Sequence, residues 1–306
     1  MTKLISIGIP VKNEVANISD LMIQVTKLIN QPKYGSHSFE LLVNDNLSDD
    51  GSVELLSEWA RTDNRVKVFS LMKPLDFQAT IQDLMKKAEG ELFALLQSDL
   101  QDPVLVLEEM LDISLKNLES IVVARAIKRK DVWYLRWFRQ LFYGTLNLLA
   151  DKNYYQGFQD FYVLPKYVYK DIAKLPSQSL FIRGYLNFSY SRFIFIEYIR
   201  SARVSGKSNF RFNSLYDLAL DGLLLYGRKF IRVLSIFSFL LFFFSFSASV
   251  LLAISASLGY YKDTRGWASI AVALMISLSF LGMLAGLVLE YLIRIHRQLS
   301  FRKLGD

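Results

Sequence analysis

Two long runs without a charged residue lie towards the end of the chain, from Val233 to Tyr261 and from Trp267 to Leu289. At a helical rise of about 1.5 Å per residue the runs would be about 43 and 35 Å long, and a bilayer hydrocarbon core is about 30 Å thick. Both runs are therefore predicted to be transmembrane helices. The alternative, two buried helices of a soluble protein, fits uncharged stretches of this length less well.

Charged residues around the two runs indicate their orientation. The link over residues 259–266 is too short to form a domain, so we expect a hairpin with both outer ends on one side. Basic residues flank those ends: Arg228, Lys229 and Arg232 before the first run, and Arg294, Arg297, Arg302 and Lys303 after the second. Since Lys and Arg are enriched on cytoplasmic flanks, the sequence predicts a multi-pass protein of the inner (plasma) membrane whose N-terminal part is cytoplasmic.

The part of the chain before the hairpin has the pattern of an α/β domain. Four apolar runs, LISIGIPV, FELLVND, VKVFSL and ELFALLQ, are each followed by an amphipathic stretch: near 15–30, 52–61, 77–89 and from Pro103. This alternation predicts a mostly parallel sheet with helices on both faces. We expect a cytoplasmic domain over 1–212, an interfacial amphipathic helix over 213–232, and the hairpin with a cytoplasmic tail over 233–306.

Polar residues cluster where three of the predicted strands end, and the carboxyl ends of parallel strands are where such sheets bind ligands. Turn and helix-cap chemistry alone would explain any one cluster. Three clusters on one sheet edge indicate a binding site, comprising Pro10, Asn13 and Glu14, then Asn44, Asp45 and Asn46, then Gln97, Ser98 and Asp99.

Composition excludes several kinds of site. The chain has no cysteine and only two histidines, His37 and His296, so thiolate chemistry and a histidine-rich metal centre are excluded. No glycine-rich fingerprint follows the first predicted strand, and the GKS at 206–208 has Ser201 where a P-loop needs glycine.

Three stretches carry a resemblance to a known family. IPVKNE at 9–14, VNDNLSDDGS at 43–52 and QSDLQDP at 97–103 resemble the nucleotide-sugar motifs of the family-two inverting glycosyltransferases with a GT-A fold. The polyprenyl-phosphate branch, which includes dolichyl-phosphate mannose synthase and the bactoprenol glucosyltransferases, is most similar. Weaker matches are GFQDFYVL at 157–164, FIRGYLNF at 181–188 and YIRSARVSGKSNF at 198–210.

The resemblance implies a GT-A nucleotide-sugar domain that binds Mg²⁺ or Mn²⁺ through Asp99. Such an ion neutralises the diphosphate and is held by one or two carboxylates together with the phosphates. The implied donor contacts are Pro10, Asn13, Glu14, Asp45, Asn46, Gln97, Ser98 and Asp99. The chain departs from the family in having Gln97 and Asn46 where aspartates are usual, and KPLDFQAT lacks the usual motif of asparagine, glycine and lysine.

By the same resemblance Asp160 stands at the catalytic position, although a helix-cap or turn aspartate is the alternative. A lipid phosphate acceptor, with a second pKa near about 6, is mostly deprotonated already. We therefore expect Asp160 to orient the acceptor or to stabilise positive charge at the anomeric carbon, with proton abstraction a secondary role.

Basic residues mixed with aromatic ones over 125–139 and 198–211 suit an anionic membrane surface. Beside two membrane spans this pattern, and the net charge of +7, favour the membrane over nucleic acid as partner. The expected ligands of the lipid phosphate are Arg125, Arg200, Arg203, Lys207 and Ser208.

The sequence predicts inverting transfer of a hexose, with UDP-glucose as the expected donor, to undecaprenyl phosphate at the cytoplasmic membrane face. The product would supply a lipid-linked sugar for cell-envelope glycans such as O-antigen. Two alternatives stay open: a processive polysaccharide synthase, although WYLRW at 133–137 lacks the glutamine of its motif, and a non-catalytic scaffold or regulator, motivated by Gln97 and Asn46. A homo-oligomer formed through the membrane helices is also left open.

Overall fold

The computed structural model describes residues 2–126, 158–176, 181–200, 228–259 and 267–302. The described residues fall into two compact units, an α/β unit that extends to Arg200 and a pair of C-terminal helices. Most of the predicted interfacial helix and most of the two basic segments lie outside the described residues. The domain boundaries predicted above therefore stay predictions.

The α/β unit is built on one seven-stranded sheet in the order β3-β2-β1-β4-β6-β5-β7. Among the described strands β6 alone runs antiparallel to its neighbours, which confirms the predicted mostly parallel sheet. The carboxyl ends of the parallel strands and the amino end of β6 therefore share one edge. The strands are β1 Leu4–Val11, β2 Ser38–Asp45, β3 Val66–Ser70, β4 Leu92–Leu95, β5 Ile121–Ala126, β6 Phe158–Pro165 and β7 Phe193–Tyr198.

Amphipathic helices follow the strands as the sequence pattern predicts. The first helix buries Ile18, Leu21, Val25 and Leu28, which recur at helical spacing on one face. The helices of the α/β unit are α1 Val15–Ile29, α2 Ser52–Thr62, α3 Phe77–Lys87, α4 Val104–Lys116, α5 Lys166–Lys174 and α6 Ile182–Ser189, with a 3₁₀ turn at Pro32–Tyr34.

The core lies around the central strands β1 and β4, which are covered on both faces. Residues 92–95 are fully buried, as the continuous apolar run predicts for a parallel strand. Gly8 on β1 makes room for the Phe93 ring, since a Cβ there would lie 2.5 Å from Phe93 Cζ. The Phe93 ring in turn packs on Tyr169 with ring centroids 5.5 Å apart. This packing fixes the strand from which the third polar cluster projects.

The second unit is a pair of helices, α7 Arg228–Ser257 and α8 Trp267–Arg302. Small and hydroxylated residues lie where the two helices contact each other. Ser245 and Ser279 are hydrogen-bonded at 2.7 Å. Gly282 allows the backbones to approach closely, because a Cβ there would lie 3.2 Å from the carbonyl oxygen of Ser238. Large apolar side chains face away from the partner helix, including Phe237, Leu240, Phe244, Leu251, Leu274 and Leu281. The segments Ser235–Ser257 and Ser269–Leu292 are long and apolar enough to cross a membrane.

Candidate active site

Unusual backbone geometry marks the sheet edge to which the polar clusters belong. Within the described ranges, the non-glycine residues with positive φ are Asn13 (55°), Leu47 (58°) and Leu100 (54°). Each follows the carboxyl end of a different strand, β1, β2 or β4. Left-handed backbone costs a non-glycine residue about 1–3 kcal/mol and persists where the surrounding structure imposes it, often at functional sites. The three loops are therefore constrained at one shared edge.

The loops after β1 and β2 hold each other in place. The backbone N–H of Asn13 donates to Ser48 Oγ at 2.9 Å, and the N–H of Asp49 donates to Asn13 Oδ1 at 3.0 Å. The N–H of Val15, in the first turn of α1, donates to Asp50 Oδ2 at 3.0 Å. Two of the three motifs thus form one interlocked loop pair, in which Asn13 has a structural part.

Glu14 and Asp50 extend this pair of loops. The N–H of Glu14 donates to Ser52 Oγ at 3.1 Å, and the Glu14 carboxylate accepts from the side chain of Asn17. Burial alone would raise the pKa of Asp50, but hydrogen bonds from Ser52 and the backbone of Val15 hold that pKa below its ordinary value. The carboxylate of Asp50 therefore stays charged at neutral pH, at the start of α1.

Asp45 ends β2 and is 1% exposed. Its Oδ2 accepts from the N–H of Ser48 at 3.2 Å, whereas its buried Oδ1 accepts no hydrogen bond. A buried acceptor without a donor is costly. The Oδ1 atom is thus suited to a donor that a ligand brings.

The side-chain amide of Asn46 both donates to and accepts from the backbone of one residue, Leu75. Its Nδ2 donates to the carbonyl of Leu75 at 2.7 Å, and the N–H of Leu75 donates to Asn46 Oδ1 at 3.0 Å. The pair holds the loop over 71–76, which leads into α3 through the cap residue Asp76. An ionised aspartate could accept but not donate, which gives a physical reason for asparagine at this position.

The Asn46→Asp variant is expected to lose about 1–3 kcal/mol of stability, because the partly buried carbonyl of Leu75 loses its donor. Denaturant unfolding of the purified full chain in detergent measures the change, and Asn64→Asp, at an exposed position, is the matched control. Equal stability of the two variants would contradict the role given to Asn46.

The residues that follow β4, Gln97, Ser98 and Asp99, make different contacts. Ser98 Oγ donates to the carbonyl of Pro10 at 2.9 Å and so ties β4 to β1. Asp99 is 7% exposed, and its Oδ1 accepts from the N–H of Gln101 at 3.1 Å. Gln97 Nε2 donates to the backbone carbonyl of Asp160 at 3.2 Å. Both Ser98 and Gln97 thus bridge β4 to neighbouring strands, on opposite sides.

Asp99 fits a cation that arrives with its own ligands. In the part of the chain that the structure describes, no three His, Cys, Asp or Glu side chains are grouped to hold a metal ion. Magnesium sites commonly combine one or two carboxylates with substrate phosphates. A single carboxylate such as Asp99 is compatible with an ion whose other ligands come from substrate phosphates.

Asp102 is fully buried and pairs with two residues at the end of β7. The hydroxyl of Tyr198 donates to Asp102 Oδ1, and Arg200 Nε lies 3.1 Å from the same oxygen. Burial raises the pKa of Asp102, and the charge of Arg200 opposes that rise. The guanidinium of Arg200 also lies 3.5 Å from Gln97 Oε1. Arg200, predicted to be a ligand of the lipid phosphate, is thus held beside a buried carboxylate.

Asp160, the third residue of β6, lies at the same sheet edge because β6 runs antiparallel to β4. Its Oδ2 forms an ion pair with Arg183 Nε at 3.3 Å, and its buried Oδ1 accepts no hydrogen bond. Sequence reasoning noted the stretch FIRGYLNF but did not assign Arg183 a role. The arginine beside glycine in that stretch was the available signal.

Of the remaining predicted phosphate ligands, Arg125 lies within the described residues. Arg125 on β5 lies 3.9 Å from the carboxylate of Glu197, and both side chains are about half exposed, at 43% and 56%. Arg203, Lys207 and Ser208 lie outside the described residues. Their assignment to a lipid phosphate stays a prediction.

Residues 6–199 match the sequence profile of Glycosyl transferase family 2. The match contains every loop and carboxylate described above. The chain belongs to this family and is a glycosyltransferase, which confirms the family predicted from the three motifs.

Named relatives match nearly the whole chain. This chain is 24% identical over 301 residues to an uncharacterized glycosyltransferase, YkcC, of Bacillus subtilis (strain 168). The match covers 98% of this chain and 91% of that one. This chain is also 24% identical over 302 residues to the SfII prophage-derived bactoprenol glucosyl transferase of Shigella flexneri, covering 97% and 95%. A solved mannosyl-3-phosphoglycerate synthase from Rubrobacter xylanophilus shares the fold, with a TM-score of 0.50 at 13% identity over 72% of this chain and 71% of that one.

Proposed function

We propose that the protein transfers a hexose, with inversion, from a nucleotide diphosphate sugar to a polyprenyl phosphate at the cytoplasmic face of the inner membrane. UDP-glucose is the proposed donor and undecaprenyl phosphate the proposed acceptor. The observation that carries the proposal is that β6 brings Asp160 to the carboxyl end of β4, the strand that Asp99 follows, where Gln97 Nε2 donates to the Asp160 carbonyl at 3.2 Å, in a chain with two long apolar helices.

On the donor side, the base and the diphosphate have separate candidate partners. The unpaired Oδ1 of Asp45 is suited to accept a ring N–H, which both uracil and guanine present. Pro10, Asn13 and Glu14 line the neighbouring loop. Asp99 would hold Mg²⁺ or Mn²⁺, whose charge would favour departure of the nucleoside diphosphate.

On the acceptor side, the reaction requires little proton transfer by the protein. A phosphate monoester with a pKa near about 6 already carries a nucleophilic oxygen at neutral pH. In one displacement this oxygen bonds to the anomeric carbon while the bond to the nucleoside diphosphate breaks, which inverts the configuration. Asp160 would orient the acceptor or stabilise the positive charge that develops on the sugar.

The acceptor class follows from the C-terminal helices and from the relatives. Few residues of the two apolar segments are buried, which differs from the core helices of soluble proteins, and outward-facing Phe and Leu side chains suit a lipid environment. Several relatives are named bactoprenol glucosyl transferases. A lipid-linked acceptor, reached by Arg125, Arg200, Arg203, Lys207 and Ser208, fits both observations.

Gln97 and Asn46 motivated the alternative of a non-catalytic scaffold. Each has a structural role as an amide, Gln97 towards the carbonyl of Asp160 and Asn46 towards Leu75. These two departures from the family pattern therefore do not require a loss of catalysis.

Membranes containing the full chain, incubated with undecaprenyl phosphate and a panel of labelled nucleotide sugars, test the proposal. We expect a labelled glycolipid from UDP-glucose, identified by mass analysis of the organic extract, and none from membranes that lack the chain. Failure of every common donor to yield a glycolipid would overturn the proposed reaction and favour the scaffold.

A further inference from the structure

Asp160 is held in an asymmetric way. Arg183 Nε lies 3.3 Å from Oδ2, and the two side chains are 18% and 8% exposed. The other oxygen, Oδ1, is buried and accepts no hydrogen bond. One oxygen is thus fixed by a cation, and the other keeps its full capacity to accept.

The two partners are fixed by different parts of the fold. Arg183 stands in the first turn of α6, where the preceding N–H, that of Ile182, donates to the side chain of Gln78 on α3 at 3.1 Å. The Arg183 guanidinium also lies 5.9 Å from the centre of the Phe181 ring. The backbone of Asp160 accepts from Gln97 at 3.2 Å. The ion pair therefore joins two separately held elements, α6 and β6.

The pair is largely buried, with side chains 18% and 8% exposed, so its charges matter. Tyr162, two residues along β6, is fully buried. Burial and the charge of Asp160 raise the pKa of Tyr162 well above its ordinary value, and Arg183 opposes this rise. A carboxylate in such surroundings is costly without a paired cation, and Arg183 is that cation.

We infer that Arg183 is a positioning residue for the transfer reaction: it fixes Oδ2 of Asp160 so that Oδ1 is presented to the substrate. The inference rests on the proposed function and assigns Arg183 no contact with the reacting atoms. Since a misplacement of about 1 Å can cost about 100-fold in rate, loss of Arg183 should lower kcat much more than it changes the KM for the donor.

A double-mutant cycle on the full chain in membranes tests this coupling. Arg183→Gln is expected to lower kcat about 100-fold with donor KM within about threefold, and Arg183→Lys to recover at least about tenfold of that loss. In an Asp160→Asn background, Arg183→Gln should cost less than about threefold, because the group on which it acts is gone. Arg192→Gln, at an exposed position near α6, is the matched control and should equal wild type.

The outcomes separate this inference from the proposed function. If wild type forms no glycolipid, the proposed function fails, and the inference fails with it. If wild type is active and Arg183→Gln keeps its kcat within about threefold, or loses equally in both backgrounds, only the inference is overturned. If Asp160→Asn is inactive, the test is whether Arg183→Lys recovers activity relative to Arg183→Gln while the thermal unfolding midpoints of both variants equal that of wild type. If Arg183→Lys does not recover activity, the positioning role is overturned.

Discussion

The Asp99→Asn variant is expected to lose metal-stimulated transfer, with kcat/KM lower by about 10²–10³, the usual effect of removing one electrostatic stabiliser at a reacting centre. The fold should tolerate the change. Asp99 Oδ1 accepts from the N–H of Gln101, and an asparagine oxygen can accept the same bond. What disappears is the negative charge, which a divalent cation needs in order to bind beside the diphosphate.

Initial rates measured over a range of Mg²⁺ and Mn²⁺ concentrations at fixed donor test this expectation. Wild type should respond to both ions and Asp99→Asn to neither. Asp20→Asn, an exposed carboxylate on α1, is the charge-matched control and should behave as wild type. An Asp99→Asn enzyme with an unchanged metal response would remove Asp99 from the proposed cation site.

Much of the α/β unit could be predicted from local sequence patterns. The apolar runs of β1, β2 and β4 and the helical spacing of residues such as Ile18 and Leu21 are local signals, and they were sufficient to place polar residues at one sheet edge. The antiparallel strand β6 carries no such signal for its direction. Its direction brings Asp160 to the carboxyl end of β4, and before the structure that placement rested on the family resemblance alone.

The pairing within the site could not be predicted in the same way. Arg183 is 23 positions from Asp160, and Arg200 is 98 positions from Asp102, so no spacing rule links either pair. Arg200 lies in a basic segment that resembles a solvated flank, whereas Arg183 is the one charged residue of FIRGYLNF. Only the folded structure, in which Arg183 on α6 lies beside Asp160 and Arg200 after β7 lies beside Asp102, shows that the two cations are paired with carboxylates.

The buried pair of Asp102 and Arg200 gives the largest expected effect on stability. Asp102→Ala should lower the free energy of unfolding by about 3–5 kcal/mol, because Arg200 is left as an uncompensated, mostly buried charge. The hydroxyl of Tyr198 loses its acceptor as well. Denaturant unfolding of the full chain in detergent, followed by tryptophan fluorescence, measures the loss.

Two further variants test whether the stability loss arises from leaving a buried charge unpaired. One removes a carboxylate from a half-exposed ion pair, and the other replaces both buried partners. Glu197→Ala removes the partner of Arg125 in a half-exposed pair at 3.9 Å and should change stability by less than about 1 kcal/mol. Replacing both buried partners, Asp102→Leu with Arg200→Met, should restore most of the stability, since apolar side chains of similar volume avoid the desolvation cost that raises the pKa of Asp102. We expect the double variant to lack transfer activity, because the cation at the end of β7 is gone. Recovery of both stability and activity would mean that the pair serves folding alone and that Arg200 has no part in binding phosphate.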